Sequence, residues 1–294
     1  MNKGWNAKRP AGRVAYVDGR YVRHGAAAVH IEDRGLQLGD SVYEVCRIAH
    51  GRLIDEAEHL ERLERSLGEI EIALPMSRAA LRHVMGETIR RNGVCDGMLY
   101  LQITRGALRR DHAIPLGAPK PTLILTVRSL DQAAITRRFA EGVSVITRPD
   151  ERWGRCDVKT TQLLPNLVAK TAAKRAGAFE AWLIDSKGFV TEGASTTAWI
   201  VDEPGHVVTR DLSHAILPGV TRRVILEAVA EAQISVVQRG FTLQEALSAR
   251  EAFLSSATGG PVPVISIDGH PIGDGKPGSL TRRIAALYAR HSLE

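Results

Sequence analysis

Apolar residues recur every three or four positions in several stretches of the chain, which is the pattern of amphipathic helices. In the clearest stretch Leu60, Leu63 and Leu67 share one helical face, and Asp55 with Glu58 gives a capping-box-like start. The same reading predicts helices over residues 78–92, 162–176 and 220–232, and two more that begin at Thr242 and Ser279.

Short apolar runs bounded by turn residues predict strands between these helices. Residues 14–17 and 20–22 flank Asp18-Gly19, a dipeptide that supplies the positive φ angles of a tight hairpin. Similar runs predict strands over residues 98–104, 122–127, 143–147, 181–185, 189–191, 252–255 and 264–267, and two more around Glu203-Pro-Gly205. Because helices and strands mix in both halves without strict alternation, the sequence predicts two α+β domains.

The length of 294 residues suits two domains of about 150 residues each. The hydrophobic fraction of 44% is ordinary for a globular protein, so disorder, collagen and coiled coil are excluded. We predict a small α/β domain over residues 1–129, a polar linker over 130–137 and a larger domain over 138–294.

The charge and the cysteines bear on partners and location. The net charge is +6, but the basic residues are scattered and mixed with acidic ones, so no nucleic-acid binding is expected. The three cysteines form no CxxC pair, which favours reduced thiols. Residues 1–10 show no signal-peptide pattern, and no apolar run reaches the roughly 18 residues of a spanning helix. We expect a soluble cytoplasmic protein without a membrane partner.

Standard motifs exclude several enzyme classes. The sequence has no GxGxxG after a strand, no GxxxxGK[ST] and no GxSxG. Its histidines and cysteines lack metal-ligand spacing. Dehydrogenase, P-loop NTPase, α/β-hydrolase and zinc-enzyme functions therefore have no support.

Three features favour a phosphate ligand. Leu217-Pro-Gly-Val-Thr221 runs directly into a predicted helix, whose first N–H groups would face an anion. The small residues of Ser255-Ser-Ala-Thr-Gly-Gly260 allow close backbone approach. Arg62 could add a charge-assisted contact. Taken singly, these features favour an ordinary helix start, a loop and a solvated helix face.

Four charged residues could carry chemistry. Lys159 could form a Schiff base if its amine is partly desolvated, and Glu192 could pair with a protonated ring nitrogen. Arg110 and His112 follow a predicted strand and together could bind a carboxylate. From context alone, each also fits an ordinary surface or loop position.

Seven separated segments in a characteristic order give this sequence a family resemblance. It resembles the fold-type IV pyridoxal-phosphate-dependent enzymes, and among them most closely the D-amino-acid transaminases. The matching segments are Arg34-Gly-Leu-Gln-Leu-Gly-Asp40 with Val42-Tyr-Glu44, Glu58-His-Leu-Glu-Arg62-Leu, Gln102-Ile-Thr-Arg-Gly106, Arg152-Trp-Gly-Arg-Cys-Asp-Val-Lys159, Val190-Thr-Glu-Gly193, Leu217-Pro-Gly-Val-Thr-Arg222 and the turn after Ser255.

The resemblance implies pyridoxal 5'-phosphate, bound in a cleft between the two domains. Lys159, in the larger predicted domain, matches the lysine that forms the Schiff base and moves the substrate proton. Glu192 matches the carboxylate that keeps the pyridine nitrogen protonated. The other implied cofactor contacts are Arg62, Leu217, Val220, Thr221, Ala257 and Thr258.

The resemblance also implies a homodimer in which Arg110 and His112 bind the substrate carboxylate of the neighbouring subunit. The family's third carboxylate ligand is a tyrosine, and this chain has Leu36 in its place. The missing tyrosine hydroxyl group would cost roughly 1.5–3 kcal/mol of carboxylate binding energy. Thr197 likewise replaces a usual asparagine.

The expected activity is ping-pong transamination between D-amino acids of the D-alanine or D-glutamate type and 2-oxo acids. Branched-chain L-amino-acid or (R)-amine transamination is the alternative, although Leu164 stands where the branched-chain enzymes carry a tyrosine. A lyase resembling aminodeoxychorismate lyase and a non-enzymatic binding module are further alternatives.

Overall fold

The computed structural model describes residues 12–114, 117 and 119–291. The chain divides into two compact units. The first comprises the residues up to Leu130 together with Val158–Gln162, and the second comprises Asp131–Asp157 and the residues from Leu163 onward.

The first unit is built on a six-stranded antiparallel sheet in the order β2-β1-β6-β5-β3-β4. Its elements are β1 (Val14–Val17), β2 (Arg20–Arg23), α1 (Arg34–Leu38), β3 (Ser41–Ala49), β4 (Arg52–Leu53), α2 (Glu56–Glu69), α3 (Arg78–Asn92), β5 (Gly97–Thr104) and β6 (Thr122–Ser129). The predicted hairpin is confirmed, since Val17 pairs with Arg20 and both Asp18 and Gly19 have positive φ angles.

Helix α2 packs its apolar face on this sheet. Leu60, Leu63 and Leu67 are all buried in the core of the first unit, as their spacing predicts. The predicted capping box at its start is wrong. Asp55 is the N-cap residue, but its φ of 53° takes it out of the extended conformation that capping requires, and its side chain makes no cap hydrogen bond.

The second unit is built on a nine-stranded mixed sheet in the order β12-β11-β10-β13-β14-β7-β8-β9, with β15 also paired to β14. Its elements are α4 (Gln132–Glu141), β7 (Val143–Pro149), α5 (Leu164–Arg175), β8 (Glu180–Ile184), β9 (Val190–Gly193), β10 (Thr197–Val201), β11 (Val207–Thr209), α6 (Val220–Glu231), β12 (Val236–Gln238), α7 (Leu243–Leu247), β13 (Glu251–Ser256), β14 (Gly260–Ile267), β15 (His270–Pro271) and α8 (Ser279–His291). The capping box predicted at Thr242 and Glu245 is confirmed.

The central strands of this sheet are covered on both faces. Every residue of β10 is buried, which explains the continuous apolar run that follows Thr197. On one face Trp199 stacks on Phe253, 5.2 Å away, among residues of α6 and α8. On the other face Trp182 meets Phe241 edge to face.

The structure differs from the predicted domain division in two places. Most of the stretch predicted as a linker forms α4, which Asp131 caps by accepting a hydrogen bond from Ala134 N. Ala134 is the one residue that α4 buries, and the half-buried Ile135 and Phe139 lie four positions apart on the helix, the second of them beyond the predicted linker.

The second difference concerns residues 158–162, which belong to the first unit rather than to the larger domain. Val158 is part of the core of the first unit, and Thr160 forms a β-bridge with Val42. Lys159 therefore lies in the first unit.

Within the described ranges, no helix is both long and apolar enough to cross a membrane.

Candidate active site

Lys159 is held by its backbone beside β3. Its N–H donates to Ser66 Oγ at 3.3 Å, and its carbonyl accepts from Tyr43 N at 3.1 Å. The side chain is half-buried, with Nζ 4.2 Å from the centroid of the Tyr43 ring. A primary amine over the face of an aromatic ring, on a fixed backbone, suits covalent attachment to a carbonyl group.

The aromatic surface continues to Tyr100, whose ring stacks on Tyr43 with centroids 5.7 Å apart. Burial is the main cause that raises the pKa of Tyr100 to about 12, so this phenol stays neutral at physiological pH. Its hydroxyl donates to Gln102 Oε1 at 2.9 Å.

Arg62 lies on the buried side of α2 and faces Glu44 in the middle of β3. Its Nε donates to Oε1 and its Nη2 to Oε2, both at 2.8 Å. His59 Nδ1 lies 2.7 Å from the same Oε2. All three residues are buried, so the alternative of a solvated helix face is wrong for Arg62. The two parallel bonds fix the plane of the guanidinium group.

Burial of Glu44 acts to raise the pKa of this carboxyl group. The charge and hydrogen bonds of Arg62, with the hydrogen bond of His59, outweigh burial and hold the pKa well below its usual range. Glu44 is therefore a carboxylate at neutral pH, and it keeps Arg62 charged and oriented.

Glu192 in β9 is a buried carboxylate of the second unit. It accepts a hydrogen bond from Arg152 Nη1, and Leu217 N lies 3.4 Å from each of its oxygens. Arg152 also donates through Nε and Nη2 to Asp150. Burial acts to lower the pKa of Arg152, but the bonds to Asp150 and the charge of Glu192 raise it above its usual value.

The start of α6 has unsatisfied hydrogen-bond capacity. Gly219 is its N-cap residue, and no side chain caps the first turn. Thr221 Oγ1 is buried and has no hydrogen-bond partner. A helix N-terminus with free N–H groups and an unpaired hydroxyl group is a site for an anion such as phosphate.

The turn with Ala257 and Thr258, the second segment predicted to contact a phosphate, lies close to this helix start. Thr197 in β10 pairs with Ser255 in β13, and the turn with Ala257 and Thr258 follows one residue beyond that strand pairing. A Cβ added to Gly219 would lie 3.2 Å from Thr197 Oγ1. The structure therefore brings together the two segments that the sequence assigns separately to a phosphate.

Arg110, His112 and Leu36 are exposed in the first unit. Leu36 belongs to α1, and its N–H donates to the capping Asp33 side chain at 3.3 Å. Asp33 also accepts from Thr104 Oγ1 at 2.8 Å, at the end of β5. Helix α1 is thus joined to the strand that leads into the segment with Arg110 and His112.

Sequence reasoning did not identify the supporting residues of either unit. Glu44, His59 and Ser66 support Arg62 and Lys159, and Arg152 supports Glu192. The sequence feature that could have identified such a residue is a charge inside an otherwise apolar strand, as for Glu44 in β3. A buried carboxylate requires a cation, but the sequence does not show which one.

In the part of the chain that the structure describes, no cluster of three or more His, Cys, Asp or Glu side chains could hold a metal ion.

Comparison with known proteins identifies the family of this chain. The model of the amino-transferase class IV family matches residues 41–267, and the chain belongs to that family. A D-alanine aminotransferase of Bacillus licheniformis is 40% identical over 91% of this chain and 93% of its own length. A D-alanine aminotransferase of Listeria innocua is 37% identical over 91% of this chain and 92% of its own.

Solved structures confirm the predicted fold class. The branched-chain amino acid aminotransferase of Escherichia coli superimposes with a TM-score of 0.85 over 93% of this chain and 92% of that one. At 24% identity, this similarity concerns the fold.

Proposed function

We propose that this class IV aminotransferase uses pyridoxal 5'-phosphate to transfer amino groups between D-amino acids, such as D-alanine, and 2-oxo acids. The main support for this activity is that the chain is 40% identical to a D-alanine aminotransferase and holds the half-buried amine of Lys159 on a fixed backbone. The D-alanine relatives favour this activity over transamination of branched-chain L-amino acids, since the branched-chain neighbour shows the fold alone.

The residues of the chain fit the proposed cofactor. The buried hydroxyl group of Thr221 without a partner, and the uncapped N–H groups at Val220, suit the phosphate. Ala257 and Thr258, in the turn after β13 of the same unit, are proposed as further phosphate contacts, and Arg62 of the first unit is the proposed phosphate arginine. The buried carboxylate of Glu192 suits a protonated ring nitrogen. Leu217 is the proposed apolar contact to the cofactor ring.

When bound, this cofactor supplies an electron-accepting ring that stabilises the electron pair left on the substrate carbon after its proton is removed. Lys159 would hold the cofactor through its amine. When that amine is free, it would take the proton from the substrate carbon and later give it up again. The backbone contacts to Ser66 and Tyr43 keep this amine in reach at both steps.

Substrate handedness depends on where the carboxylate is bound. Arg110 can donate two parallel hydrogen bonds to a carboxylate and His112 one. Lys159 reaches the substrate carbon from one face only. The position at which Arg110 and His112 hold the carboxylate therefore decides which enantiomer presents its proton to Lys159, and we propose that it is the D-enantiomer. Leu36 supplies no third donor.

We also propose that the enzyme is a cytoplasmic homodimer. Arg110 and His112 are exposed in the single chain, which leaves them accessible to a neighbouring subunit. The three cysteines are free thiols, as in a reducing compartment. Sedimentation equilibrium of the purified protein tests the dimer, and a monomer at micromolar concentration contradicts it.

The activity is tested with purified protein loaded with pyridoxal phosphate. We expect D-alanine, added without an oxo acid, to convert the visible absorbance of the bound cofactor to that of its amine form, and L-leucine to leave it unchanged. Conversion by L-leucine alone would replace this proposal with an L-specific activity. A Lys159→Ala variant is the control, and we expect it to lose turnover.

A further inference from the structure

The segment with Arg110 and His112 is bound to the start of α1 and to the residues just before it by both backbone and side-chain hydrogen bonds. Arg34 N donates to Gly106 O at 2.9 Å, and Leu108 N donates to Glu32 O at 3.2 Å. Beyond Leu108 this backbone ladder ends, and the side chain of Arg34 continues the connection. Its Nη1 donates to the carbonyl oxygen of Asp111 at 2.6 Å.

The residue that receives this bond stands between Arg110 and His112. A hydrogen bond to the Asp111 carbonyl fixes the peptide plane that joins Asp111 to His112. Asp111 Oδ1 also accepts from Ala113 N at 3.1 Å, which closes a turn at the same place. The backbone from which both proposed carboxylate ligands extend is therefore fixed at its centre.

The Arg34 side chain is itself held in place by Asp40. Its side chain is 5% exposed, and its Nε donates to Asp40 Oδ2 at 2.7 Å. Arg105 holds the same carboxylate through Nε at 2.7 Å and through Nη2 at 3.0 Å. Because Asp40 keeps two bonds to Arg105, its charge remains paired when Arg34 is replaced.

We propose that Arg34 is a positioning residue for substrate binding, which orients Arg110 and His112 through the carbonyl group of Asp111. This inference rests on the proposed function, because it takes those two residues as the carboxylate ligands. In this chain the leucine at position 36 removes one donor, so the orientation of the remaining two determines carboxylate affinity.

The test compares Arg34→Met and Arg34→Lys with Arg105→Lys. Arg34→Met removes the hydrogen bonds to Asp40 and to the Asp111 carbonyl. Arg34→Lys keeps the positive charge next to Asp40 but lacks the planar guanidinium group that reaches both partners. Arg105→Lys disturbs the same carboxylate, but its other partners are the carbonyl groups of Ile70 and Glu71, so the bond to Asp111 remains.

The first readout is amide hydrogen exchange of residues 107–114 in the cofactor-loaded protein, and it does not depend on activity. We expect faster exchange there in both Arg34 variants and no change in Arg105→Lys. Unchanged exchange in both Arg34 variants would overturn the proposal, even where their melting temperatures fall.

The second readout separates KM from kcat. We expect Arg34→Met to raise the KM for D-alanine about tenfold, the loss of one charge-assisted bond, with kcat within about twofold of wild type. Faster exchange with an unchanged KM would show that Arg34 holds the segment but does not position substrate ligands. If the wild type shows no turnover of D-amino acids, the proposed function fails, and the exchange data still decide whether Arg34 fixes the segment.

Discussion

Glu44 and Arg62 form a bidentate pair with two bonds of 2.8 Å, and both side chains are buried. The carboxylate comes from the middle of a strand and the guanidinium from a helix, so the pair ties α2 to β3 and fixes the group proposed to contact phosphate.

Glu44→Gln removes the charge that compensates the buried Arg62. We expect the free energy of unfolding at pH 7 to fall by about 3 kcal/mol, because a buried guanidinium then lacks its counter-ion. Urea denaturation measures this change. Glu87→Gln is the control, since Glu87 pairs with two exposed arginines, and we expect no resolvable loss there.

The same substitution changes the pH dependence of stability. The folded-state pKa of Glu44 lies below its unfolded value of about 4.3, so the unfolded chain binds this proton more readily. The stabilisation is complete above that pH and decreases as the pH falls towards the folded-state pKa. The difference in unfolding free energy between wild type and Glu44→Gln should therefore shrink below about pH 4.3. A constant difference would contradict the assignment.

Thr221→Val removes the buried hydroxyl group that has no partner. We expect cofactor-free protein to melt at a slightly higher temperature, since an unsatisfied polar group is lost. Affinity for pyridoxal phosphate should fall about tenfold, because one hydrogen bond to the phosphate is lost. Fluorescence titration of cofactor-free protein measures this affinity.

Thr281→Val is the matched control for this prediction. Thr281 Oγ1 is also buried without a partner, near the start of α8. Its replacement should leave cofactor affinity unchanged. Equal affinities in wild type and Thr221→Val would remove Thr221 from the phosphate site.

Arg110→Ala should raise the KM for D-alanine roughly 10- to 150-fold, the effect of losing a charge-assisted bond to the carboxylate. The visible absorbance of the bound cofactor should stay as in wild type. Steady-state kinetics measure the KM, and Arg109→Ala is the control because it removes the neighbouring exposed charge. A wild-type KM in Arg110→Ala contradicts its role.

Leu36→Tyr tests whether the missing hydroxyl group limits affinity. Leu36 is 63% exposed on α1, so the larger ring fits without repacking. We expect a KM for D-alanine about tenfold lower than in wild type. Leu36→Phe adds the ring alone, and equal KM values in the two variants would show that the hydroxyl group makes no contact.

The sequence by itself determined many of the local elements and the chemical groups, although it did not predict α1, β3 or α4. The turn at Asp18-Gly19, the apolar stripe of α2 and the capping box at Thr242 depend on neighbours within a few residues, and all three act locally. The seven ordered segments likewise identified the family, because residue types at fixed places require no knowledge of distances.

Only the tertiary structure decided which groups meet. Glu44 and Arg62 are 18 positions apart, Arg152 and Glu192 are 40 apart, and Arg34 and Asp111 are 77 apart. Such pairs depend on how strands and helices pack, and many partners in the sequence would satisfy the same charge. For the same reason Lys159 lies with the first unit, since the β-bridge of Thr160 to Val42 fixes it there and local sequence carries no trace of that pairing.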